Sequence, residues 1–276
     1  MTDAGMFAGW GALPALAALA GRIVLLGVER VVVKQLGSQR GSVEATLLFF
    51  GLGSLFLAPF APEAVRRAPA LLPVLPTGVV YTVGFVLYVR ALSRGQVSLV
   101  APLASFNVVF LALLAIPLAG ERVDAARGAG LLLLFAGTAL LEGGRDLLRG
   151  WRRVWSQPGA GDMVVSALLI AAGRVVDKRL SVDLPALSYA WAIYTVVSLA
   201  LLGYLALRGR VAAAGALLRE RPAPALVSGF INAYAYVLLL AAIRTLDVSV
   251  VEPASNLSML LAVLLGGWVY REPVAR

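Results

Sequence analysis

The chain of 276 residues contains no cysteine and no histidine. The first absence excludes disulfides, thiolate metal sites and thiol nucleophiles. The second removes the commonest general base and the commonest metal ligand. Charge is scarce as well, at 14% of residues, and no polar stretch is long enough to make an appended soluble domain. The raw material of most enzymatic constellations is missing. The expectation is a protein that is not an enzyme, with no cofactor, no bound metal and no nucleic-acid partner.

What is abundant is hydrocarbon. Sixty percent of the residues are hydrophobic, and apolar runs repeatedly reach the roughly 20 residues that a helix needs to cross a bilayer core. The runs do not alternate in polarity, which argues against barrel strands. The fold expected is an all-α integral membrane protein with about nine transmembrane helices, near 7–34, 43–60, 70–93, 97–119, 125–143, 162–180, 187–207, 224–244 and 247–270. Gly37-Ser38-Gln39-Arg40-Gly41, Ala61-Pro62-Glu63, Ser93-Arg94-Gly95 and Arg221-Pro222-Ala223-Pro224 have loop chemistry. The start Met1-Thr2-Asp3 has no basic region, so the first apolar run is expected to be a membrane helix rather than a cleaved leader.

The net charge of +9 sits mostly in arginines between apolar runs, where it serves orientation and contact with membrane lipids. Between 144 and 161, Leu147, Leu148, Trp151, Val154 and Trp155 share one helical face and Arg145, Arg149, Arg152 and Arg153 the other. That pattern predicts an amphipathic helix lying in the interface. A solvated basic linker is the plainer alternative.

The chain also repeats itself. Val97-Ser98-Leu99-Val100-Ala101-Pro102 returns as Val248-Ser249-Val250-Val251-Glu252-Pro253. The same displacement carries Ala91 onto Ala242, Leu113 onto Leu264 and Glu121 onto Glu272. Arg30-Val31-Val32-Val33-Lys34 is likewise echoed by Arg174-Val175-Val176-Asp177-Lys178. Three units follow: a first repeat over 1–143 with five helices, a linker over 144–161, and a second repeat over 162–276 with four. An odd number of helices per repeat makes the two halves inverted. Symmetry asks for a tenth helix that the sequence does not contain. A second copy of the chain completing the short half, a homodimer, is one reading of that gap, and a non-transporting membrane subunit is another.

Ala91-Leu92, Val97 to Leu103, Leu118-Ala119-Gly120-Glu121-Arg122, and the Gly-rich run Gly128 to Leu140 together resemble the EamA-type pattern of the drug/metabolite transporter superfamily. The second half repeats it through Ala242, Ser249, Pro253, Ser258 and Arg271-Glu272. The resemblance covers nearly the whole chain. It implies ten helices in two inverted five-helix halves, a central cavity, and secondary transport by alternating access. Implied cargoes are amino acids, other small metabolites or drugs, mostly exported through the cell (inner or plasma) membrane. A magnesium-transporting branch is similar in the same stretch and supplies the alternative of divalent-cation transport. The resemblance implies a cytoplasmic N-terminus. The loop arginines, concentrated at Arg40, Arg94, 145–153 and 208–221, favour an external one, so orientation stays open.

Charges inside membrane helices cost about 2.5–3.5 kcal/mol each at mid-helix, so they face the interior of the bundle or an interface. Arg22, Glu29, Arg30 and Lys34 lie in the first helix, and Arg174, Asp177 and Lys178 in the sixth. Lys34 and Lys178 are as well explained by snorkelling. Pro102 and Pro253 each remove a helix donor and are expected to be structural kinks. The expected substrate-binding residues are Arg30, Tyr88, Asn107, Arg174, Asn232, Glu252 and Asn256. Interhelical packing competes for the amides and for the tyrosine. Glu252 beside its proline is the coupling-ion candidate, since a carboxylate there can hold a proton, a cation or a substrate amino group. The excess of arginine at depth favours a cargo that includes an anionic group.

Overall fold

The computed structural model describes residues 12–37, 41–100, 103–104, 106–119, 129–130, 133, 152, 155–180, 185–243, 246 and 248–270. Among them every regular element is helical. The first half comprises α1 (Ala12–Gly37), α2 (Ser42–Phe56), the short α3 (Ala61–Arg66) and α4 (Ala68–Leu71), α5 (Val74–Arg94), α6 (Val97–Val100) and α7 (Phe106–Ala119). The second comprises α8 (Ala160–Leu180), α9 (Ala186–Leu207), α10 (Val211–Glu220), α11 (Pro222–Ala242), α12 (Val248–Ser255) and α13 (Ser258–Tyr270).

Helices α5, α9 and α11 are unbroken and apolar enough to cross a membrane, and α2 with the turn-and-helix segment after it makes a further span bent by 55°. Helices α1 and α8 are as long, but carry the buried charges Arg22, Glu29, Arg30 and Asp177. The exposed surface is apolar, with Leu55, Val79, Leu199, Leu264 and Trp268 facing outward. A lipid-facing surface has that composition. The protein is multi-pass and membrane-embedded.

The structure corrects the expected spans in several places. The run 43–60 does not continue as one helix: α2 ends at Phe56, and Pro59 and Pro62 restart the chain as short helices with proline in their first turns, where a missing N–H costs nothing. For the same reason Arg221-Pro222-Ala223-Pro224 is not a loop, because Pro222 opens α11. The stretch before it holds an unexpected amphipathic helix, α10, which buries Ala214 and Leu217. The run 97–119 is interrupted between α6 and α7, and 247–270 breaks at Asn256-Leu257. There the bonds Asn256 N–H to Pro253 O (3.0 Å) and Met259 N–H to Asn256 O (2.8 Å) tighten the turn. Pro253 lies inside α12. Pro102, nearly all of the expected helix 125–143, and most of the 144–161 linker lie outside the described residues. Trp155, at the linker's end, is half exposed and meets the Phe106 ring edge-on.

The directions of the helices follow from their contacts. Tyr88 meets Glu29 and Lys34 meets the carbonyl of Gly95, so α1 and α5 run parallel. Tyr81 meets Asp177, and Arg90 meets Asp162, so α5 and α8 run antiparallel. The first helix of one half therefore points opposite to the first helix of the other, and the repeats are inverted. Their packing is crossed: α1 lies along α11 of the second half, while α8 lies along α5 of the first. Helices α2 and α9 close the seam, held by Arg210 Nη2 to Glu44 Oε1 (2.6 Å) at one end and by Ser54 Oγ to Thr195 Oγ1 (2.8 Å) further along. Gly173 lets the α5–α8 contact close, since a Cβ there would overlap the Tyr81 ring.

Candidate functional site

A cavity of about 110 Å³ lies where the two halves cross, several times the space that one water requires. All seven residues expected to bind substrate line it: Arg30 and Tyr88 from the first half with Asn107, and Arg174, Asn232, Glu252 and Asn256 from the second. Residues nearly a full chain apart meet here because of the crossed packing, not because of local sequence.

Glu252 is 8% exposed and sits between two guanidiniums, Arg22 Nη2 at 3.7 Å and Arg174 Nε at 3.8 Å. One arginine comes from each half, so this carboxylate bridges the repeat interface. Arg22 also donates to Ser255 Oγ and to the carbonyl of Ala235, both at 2.9 Å. Its charge is thus fully engaged by residues of α11 and α12.

Arg174 is held still more firmly. Its guanidinium lies over the rings of Tyr236 (4.7 Å) and Tyr81 (5.6 Å), a cation–π geometry. Three residues along the same helix face, Asp177 Oδ2 lies 3.3 Å from Arg174 Nη1. Asp177 is 2% exposed and accepts hydrogen bonds from three phenols: Tyr81, Tyr189 (2.5 Å) and Tyr236 (2.8 Å). Those tyrosines come from α5, α9 and α11, so one carboxylate ties four helices together. Buried charge persists in a low-dielectric interior only when paired and hydrogen-bonded in this way.

The remaining polar groups are more loosely held. Tyr88 donates to Glu29 Oε1 at 3.1 Å. Asn232 accepts from Tyr194 through Oδ1 (2.7 Å) and through its carbonyl (2.8 Å), which makes it part of the wall. Among the described residues, Arg30 Nη1, Asn107 Oδ1, Asn256 Nδ2, Ser166 Oγ and Glu252 Oε1 are buried without a hydrogen-bond partner, and all five residues line the cavity. Orphaned buried donors and acceptors facing one space are costly unless something occupies it. Among the described residues no three carboxylates gather as a metal site requires.

Four participants had escaped the sequence reading: Tyr189, Tyr194, Ser166 and Ser255. Each sits in an apolar run where a hydroxyl commonly means packing. The available signal was the pair of tyrosines five residues apart within α9, polar atoms placed at mid-span. Ser249 and Ser98, named with the prolines, have side chains outside those described, and it is Ser255 that bonds back to Val251 O (2.7 Å) beside Pro253.

Inverted, crossed repeats around a polar, membrane-embedded cavity are an architecture common among secondary transporters. A family model described as the EamA-like transporter family matches residues 12–142 and 158–276, and the chain belongs to that family. No curated protein is matched by the chain.

Proposed function

We propose that the protein is a secondary transporter that moves a small polar metabolite, of amino-acid type, out of the cell across its plasma or inner membrane by alternating access. The carrying observation is the cavity at the repeat interface, where both halves contribute charges and where unpartnered donors and acceptors stand side by side. Inverted repeats meeting at a mid-membrane site are the usual architecture for rocking one half against the other. Arg30, Arg174, Asn107, Asn232, Asn256 and Tyr88 contact the cargo or shape its chamber in this reading. Glu252 is the coupling group. Protonation or cation binding at Glu252 would loosen its hold on Arg22 and Arg174 and so relax the bridge between the halves. Purified protein in liposomes, loaded with labelled small amino acids, tests the reading. Flux that exceeds empty liposomes and responds to a proton gradient supports it. Absence of flux for amino acids and for a broader metabolite mixture in both directions sinks it.

A further inference from the structure

The cavity holds five charged side chains, Arg22, Glu29, Arg30, Arg174 and Glu252, and they are not equivalent. Arg22 and Arg174 both reach Glu252, and Arg174 also reaches Asp177. Glu29 and Arg30 differ. Both are buried, at 4% and 6% exposure, yet among the described residues neither lies within ion-pair distance of an opposite charge. Among the described residues Glu29 receives one hydrogen bond, from Tyr88. Arg30 leaves Nη1 without a partner. Two adjacent residues on one helix thus present an acceptor and a donor to the same chamber; each feels the other's charge through space, but among the described residues neither is closed into a direct ion pair.

We infer that Glu29 and Arg30 form a zwitterion clamp: Arg30 takes the carboxylate of the cargo and Glu29 its ammonium group. This rests on the transport reading above and specifies how that site recognises its cargo. It gives the ammonium contact to Glu29 rather than to Glu252, whose Oε1 already lies 3.7 and 3.8 Å from two guanidiniums. Side chains one residue apart on a helix diverge by about 100°. They therefore reach two separate groups on one small molecule. Asn107 Oδ1 and Asn256 Nδ2 supply further unpartnered contacts for the same cargo. A cargo bearing only one of the two charges leaves the other buried charge unanswered, and a site built this way rejects it strongly.

The test is ligand binding to the purified full chain, followed by intrinsic fluorescence of its tryptophans and by calorimetry. The probes are L-alanine, propionate (no ammonium) and ethylamine (no carboxylate). For the unaltered protein, L-alanine should bind at least tenfold more tightly than either analogue. Glu29→Gln should erase the preference over propionate while keeping that over ethylamine. Arg30→Gln should do the reverse, and Arg30→Lys should restore part of the loss. Preference ratios within one variant do not depend on its stability, so a weakened fold would not imitate this pattern. The clamp is overturned if both preferences survive in Glu29→Gln and Arg30→Gln, or if the unaltered protein does not prefer L-alanine. In the latter case, flux of other metabolites in liposomes would show whether the transport reading survives without the clamp.

Discussion

Replacing Asp177 by asparagine should cost this protein roughly 2–3 kcal/mol. The substitution keeps the shape and one carbonyl oxygen, but removes the charge at the centre of four helices. Three phenols and one guanidinium converge on that carboxylate. Hydrogen bonds to a charged acceptor contribute about 1.5–3 kcal/mol, against about 0.5–1.5 kcal/mol for neutral pairs. The three tyrosine bonds together therefore lose about 3 kcal/mol. Interhelical polar bonds in membranes average nearer 0.6 kcal/mol, with a maximum of about 1.7, which pulls the sum toward 2 kcal/mol. At about 2–4 °C per kcal/mol for a chain of this size, the melting temperature should fall by roughly 4–12 °C. The assay needs no label. Thiol-reactive dyes are useless on a chain without cysteine, but its five tryptophans report unfolding directly. Tyr189→Phe should lose about a third as much, and adding it to Asp177→Asn should change little, because both act through one network. A melting temperature for Asp177→Asn within about 1 °C of the parent would refute the view that this cluster holds the helices together.

Three further outcomes are expected. Gly173→Ala should force the Tyr81 ring away and destabilise by about 1–3 kcal/mol, whereas Gly203→Ala, with open space around it, should be neutral in the same melting experiment. Ser54→Cys combined with Thr195→Cys should form a disulfide on mild oxidation, because their hydroxyls are 2.8 Å apart; cross-linking should arrest flux reversibly, and failure to cross-link would contradict the α2–α9 register. Glu252→Gln should remove the pH dependence of transport in liposomes, and an unchanged rate together with an unchanged pH profile would end its role as coupling group.

Much of this architecture was legible before any coordinates, for identifiable reasons. Apolar length marks a membrane helix directly, so α1, α5, α8, α9 and α11 fell within a few residues of expectation. The duplicated Ser-x-x-x-Pro phrase exposed the repeat. Buried charge is so costly in a bilayer that Arg30, Arg174 and Glu252 could be read as interior without a structure. Less was visible where meaning depends on partners. Asp177 stands three residues from Arg174, a spacing visible in the sequence, but only the crossing of α5, α9 and α11 supplies its three phenols. Nothing in the sequence points from Glu29 to Tyr88, 59 residues away, because their hydrogen bond depends on α5 packing along α1. The bend after Phe56 and the first turn of α11 were misjudged because proline punctuates a loop and opens a helix equally well. Helix α10, at ten residues, is too short to cross a bilayer, so apolar length gives no sign of it.

The crossed packing has a consequence for synthesis. Arg22 finds its partners in Ala235, Glu252 and Ser255, more than 200 residues later in the chain. While the ribosome is still making α5, that guanidinium is already in or near the bilayer without the hydrogen-bond partners it has in the folded protein. Asp177 likewise enters before Tyr189 and Tyr236 have been made. The nascent first half must be sheltered, by the insertion machinery or at the lipid boundary, until the last third of the polypeptide arrives. Assembly of the core is therefore a late event, completed only when α11 and α12 are threaded into place.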